Sequence, residues 1–121
     1  MAGGRSASGG RKARAGGGSC LLVLSTAPDR ATAERIARAL VGERLAACVN
    51  VIPGLTSLYR WKGKIERDRE VLCLIKTRKP LLPKLIRRLT ALHPYDVPEV
   101  IALPIAGGAR PYMNWLLEQT T

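Results

Sequence analysis

Phenylalanine is absent from this chain of 121 residues, and three tyrosines and two tryptophans are all the aromatic side chains it has. Sheets that read single-stranded RNA do so with exposed aromatics on which bases stack, so nucleic acid is not expected as a partner. Histidine occurs once, as His93. No nucleophile paired with a general base is legible. The turn Ser25-Thr26-Ala27-Pro28 also lacks the phosphate-cradling character that an acyl phosphatase would need, so the chain is not expected to be an enzyme. No apolar stretch approaches the ~18 residues of a membrane span, and the run Cys20-Leu21-Leu22-Val23-Leu24 is shorter than the ~7 residues of a signal-peptide core.

Cysteine is sparse as well. Cys20, Cys48 and Cys73 form no C-x-x-C pair, which fits small apolar residues of strands in a reducing compartment and not a disulfide framework. A cytoplasmic location is the expectation, organellar if residues 1–19 are a transit peptide. Those residues are Gly, Ala, Ser, Arg and Lys with one Met, a composition that cannot bury enough surface to offset its ordering entropy. They read as a disordered tail or targeting segment before a single domain over 20–121. Acidic residues are scarce too, 9 against 20 basic ones, and the tail accounts for only four of the latter. The domain is basic in its own right, which serves solubility and attracts polyanions.

What is present is an ordered series of elements. Cys20–Leu24 reads as a buried strand closed by Ser25–Asp29, with Asp29 able to cap a helix. Ala33, Ile36, Ala37, Leu40 and Val41 repeat at helical spacing, with fraying expected near Gly42. Residues 46–52 and 71–76 are strand-like, and a turn centred on Gly63 would join them as a long hairpin, placing Arg60 near Glu66 and Tyr59 near Arg67. Pro53-Gly54 should interrupt its first strand. A second helix spans about 82–92 with its prolines in the first turn, 93–98 is a loop, 99–105 a last strand, and a short helix starts near Pro111. The fold class is therefore α+β, a ferredoxin-like βαββαβ sandwich with a long central hairpin and an extra C-terminal helix. Strands carrying Val49, Val51, Leu72, Cys73, Leu74, Val100 and Ala102 are apolar on both faces, so the face without helices should pack on another copy of the chain.

The stretches Thr26-Ala27-Pro28-Asp29, Leu45-Ala46-Ala47-Cys48-Val49-Asn50, Tyr59-Arg60-Trp61-Lys62-Gly63-Lys64, His93-Pro94-Tyr95-Asp96-Val97-Pro98-Glu99, Leu103-Pro104 and Tyr112-Met113-Asn114-Trp115-Leu116 resemble, in the same order, the motifs of the CutA divalent-cation-tolerance family. The resemblance implies a homotrimer with hairpins reaching onto neighbours, linked to tolerance of copper or another divalent cation, with no settled enzymatic activity. It puts copper ligands at the positions of Ser25, Leu92 and His93, and of these only His93 is a donor of that kind. His93 is thus the metal candidate, while its position at a helix end also suits bonding to terminal carbonyls. Tyr59, Trp61, Tyr95, Tyr112 and Trp115 are candidates for a subunit interface or pocket, with Lys62, Glu66, Asp96 and Glu99 as their charged neighbours. A trimeric small-ligand sensor of the nitrogen-regulatory PII type is the alternative, resting on Gly107-Gly108-Ala109-Arg110 before the last helix.

Overall fold

The computed structural model describes residues 19–121. The expected tail, apart from its last residue, lies outside them. Strand β1 (Cys20–Ala27) is longer than the apolar run alone suggests, because Ser25, Thr26 and Ala27 pair with Cys73, Leu72 and Val71. The turn shrinks to Pro28-Asp29, and helix α1 (Arg30–Gly42) begins there, with the Asp29 carboxylate accepting from the Thr32 N–H at 2.8 Å. That bond satisfies one of the free donors of the first turn.

Strands β2 (Cys48–Trp61) and β3 (Lys64–Arg78) form the hairpin. Its turn is not centred on Gly63: Trp61 faces Lys64, and Lys62-Gly63 alone make the loop, with φ of 50° and 79°. Positive φ at both positions gives a type I′ turn, whose twist matches that of the strands. The pairing therefore slips by one residue from the sequence expectation. Tyr59 stands opposite Glu66, and Arg60 opposite Ile65. Pro53-Gly54 does not end β2 either; it forms a one-residue bulge between Ile52 and Leu55, with Gly54 at φ 90°.

A 3-10 turn (Lys79–Leu81) leads into α2 (Leu82–Leu92). The last strand, β4, is only Ile101–Pro104, shorter than the expected 99–105, since pairing begins where Ile101 meets Leu24, beyond the Pro98 that has no N–H to give. Helix α3 (Arg110–Gln119) closes the chain. All neighbours are antiparallel in the order β2-β3-β1-β4, the ferredoxin-like arrangement.

Helices α1 and α2 cover one face, packing Ile36, Leu40, Leu85 and Leu89 with Leu21, Val23, Cys73 and Ile75. A smaller cluster of Cys20, Ala47, Met113 and Leu116 seats α3. On the other face Leu22, Leu24, Leu72 and Leu74 are half-buried, while Ile52, Ile101 and Leu103 are 44%, 51% and 45% exposed. Seven apolar side chains thus share a sheet face that α3 covers only at its Cys20 end and that no other element of the described chain covers.

Candidate functional site

The bulge decides what the hairpin presents. Directly opposed residues of paired strands share a face. Before the bulge Cys48, Asn50 and Ile52 oppose Lys76, Leu74 and Leu72; after it Ser57, Tyr59 and Trp61 oppose Asp68, Glu66 and Lys64. One side of β2 thus passes from even to odd positions while β3 stays even throughout. Because Glu66-Arg67-Asp68-Arg69-Glu70 alternates acid with base, that side of the hairpin is acidic and the other carries Arg67 and Arg69.

The loop 93–99 folds toward this acidic side, and between them lies a cleft of about 760 Å³. Its walls include Thr26, Ser57, Tyr59, Trp61, Asp68, Glu70, Tyr95, Asp96 and Glu99. Four of the chain's nine carboxylates meet there. Two are held by phenols: the Tyr95 hydroxyl donates to Glu70 Oε2 at 2.7 Å, and the Tyr59 hydroxyl donates to the Asp68 carboxylate. Burial, and then the bond to Glu70, pushes the Tyr95 hydroxyl well above the usual phenol range. The bond to Asp68 pushes exposed Tyr59 up to about 12. Both phenols remain protonated donors through the physiological range.

His93 lies behind this wall, buried, its ring 4.6 Å from that of Tyr95. Nε2 stands 2.7 Å from the Thr26 carbonyl, which can only accept, so this nitrogen carries the proton; Nδ1 accepts from the Tyr95 N–H at 3.1 Å. The imidazole does not bond the carbonyls ending α2, as its sequence position suggested. It pins the loop to β1 with both nitrogens engaged, and a metal on either would have to displace one of these bonds. Ser25 is buried and Leu92 packs against the core, so neither opens toward the cleft.

Of the residues singled out in the sequence, the fold gathers Tyr59, Trp61, Tyr95, Asp96 and Glu99 around one cleft. Glu66 opposes Tyr59 beside it, and Lys62 sits in the turn, outside the cleft wall. Tyr112 and Trp115 belong elsewhere, on α3, their rings 5.5 Å apart beside the Cys20 cluster. Asp68 and Glu70 are additions that the sequence reading missed, and the alternation of acid and base in β3 is the signal that points to them. Among the described residues no three His, Cys, Asp or Glu side chains converge closely enough to hold a metal ion.

The family profile described as CutA1 divalent ion tolerance protein matches residues 21–119. This chain belongs to that family. It is 58% identical over 99 residues to the divalent-cation tolerance protein CutA of Thermus thermophilus, an alignment covering 82% of this chain and 96% of that protein. It is 49% identical over 100 residues to the chloroplastic protein CutA of Arabidopsis thaliana, covering 83% of this chain but 55% of the plant protein, so it spans about half the length of that relative. The solved structure of the Thermus thermophilus Cut A1 protein superposes with a TM-score of 0.83 at 56% identity, over 84% of this chain and 99% of that one. Membership in the CutA family and the ferredoxin-like fold thus rest on sequence and structure together.

Proposed function

We propose that the chain acts as a homotrimeric, cation-binding CutA protein, not as an enzyme, and that the acidic cleft is where a divalent cation meets it. The observation that carries this reading is the gathering of Asp68, Glu70, Asp96 and Glu99 at one cleft of a chain with more than twice as many basic as acidic residues. Carboxylates and phenols form an oxygen donor set, suited to hard divalent ions. Copper would bind such a set by its place at the top of the affinity series and not by selective geometry. His93 serves this site by positioning the loop of Tyr95 and Asp96. A neighbouring copy or water completes the coordination shell, since the described residues of one subunit do not bring three ligands together.

Against catalysis stands the chemistry of the nucleophile candidates: His93 has no free nitrogen, and burial raises the thiols of Cys20 and Cys73 above their usual range. Three free cysteines support a reducing compartment, cytoplasmic or, following the plant relative's name, organellar. N-terminal sequencing of the native protein separates the two, because a transit peptide would leave a shortened chain.

Equilibrium dialysis against Mn²⁺, Zn²⁺ and Cu²⁺ tests the cation reading. Asp68→Asn with Glu70→Gln should weaken binding of all three by about tenfold or more, on the order of 1.4 kcal/mol per decade, with Cu²⁺ the tightest. Binding that survives this pair and is lost in His93→Ala would move the site to the imidazole.

A further inference from the structure

Acidic residues collect at the cleft, and the helix layer on the far side of the sheet is left with little to balance its cations. Arg30, Arg35, Arg38, Lys79, Lys84 and Arg87 are exposed on α1, the 3-10 turn and α2, and none makes a hydrogen bond or ion pair among the described residues. The acids of that layer are already committed. Asp29 caps α1 and feels Arg35, and Glu43 is held by Arg88 at 2.9 Å and feels Lys84, which leaves Glu34 as the one acid of the layer without such a role.

We propose that this helix face binds the phosphate backbone of duplex nucleic acid without regard to sequence. Four of the six cations are arginines, whose planar fork matches phosphate oxygens in pairs. α1 has 13 residues and so extends about 20 Å, long enough to follow several phosphates of one strand. Neither α1 nor α2 carries an aromatic residue, so nothing on this face stacks on bases, and the binding is electrostatic. This mode differs from base reading by a sheet, for which the chain lacks aromatics. An anionic bilayer is the poorer partner. Adsorbed helices insert an apolar stripe, and here Ile36, Leu40, Leu85 and Leu89 spend theirs inside the core.

Fluorescence polarisation of the full chain with a labelled random-sequence duplex tests the proposal. Binding should be micromolar at low salt, with log K falling against log salt at a slope of about −3 to −5, roughly 0.9 per phosphate engaged. Arg38→Glu with Arg87→Glu should weaken it at least tenfold without changing the melting temperature. Lys64→Glu with Arg110→Glu, the same change in net charge away from the helices, should weaken it less than threefold. No duplex binding, equal losses in the two pairs, or binding to phosphatidylserine vesicles in place of duplex would each overturn the assignment. Affinity unchanged by the helix pair would do the same, by pointing to the basic residues before Ser19.

Discussion

At the scale of single residues, the cleft depends on protons that stay where the folded chain puts them. Tyr59 ionises at about 12 in the folded chain because its hydroxyl donates to Asp68. Its folded pKa lies above the ordinary value of about 10, so the stabilising bond is fully present below that pH and is lost as the pH rises through the folded value. An alkaline ultraviolet titration of the wild type minus that of Tyr59→Phe should therefore give one step centred near 12. A step near 10 would mean that the bond to Asp68 is not held in solution. The sequence revealed part of this and hid part. Tyr59 and Tyr95 stood out as amphipathic aromatics, yet their acceptors lie 9 and 25 residues away in β3, a distance that only the fold closes. His93 was legible as a residue ending a helix; that it would bond Thr26, 67 residues earlier, was not.

At the scale of elements, periodicity carried most of the information. Helix α1 follows from its i, i+3, i+4 apolar spacing and an Asp at the cap, and α2 from the same spacing with its prolines where no backbone donor is lost. The hairpin was harder, since the choice between a two-residue and a three-residue loop shifts every opposed pair. Type I′ geometry asks both Lys62 and Gly63 to adopt left-handed backbone, which costs an ordinary side chain about 1 kcal/mol. Gly63→Ala should accordingly lower stability by about that amount, while Lys62→Asn, creating the pairing most favoured in such turns, should raise it by a few tenths. Urea midpoints report both changes. Equal, negligible shifts would show that the tip is too loosely coupled to the sheet for its turn to matter.

At the scale of the whole molecule, one sheet face is finished and the other is not. The helices seal the first. The second leaves Ile52, Ile101 and Leu103 about half exposed among half-buried leucines, and self-association through it is the assembly proposed above. If the proposed trimer forms through this face, Ile101→Glu with Leu103→Glu should give a monomer by light scattering, with the circular dichroism of the fold retained; a trimer that survives would have its interface elsewhere. The sequence announced this face through strands that fail to alternate, though without saying what covers it.

The bulge at Pro53-Gly54 reaches further than a local kink. It works as a parity switch: it lets the same strand place even positions in the sheet's open face and odd positions in the cleft. A pairing that ran on regularly with every residue retained would turn the tip inside out, setting Tyr59 opposite Ile65 on the arginine side and turning Leu58 and Arg60 into the cleft. Deleting one of the two bulge residues removes only the extra residue and leaves Tyr59 opposite Glu66, whereas inserting or deleting one residue between the bulge and the turn shifts the pairs beyond it and moves them to the other face.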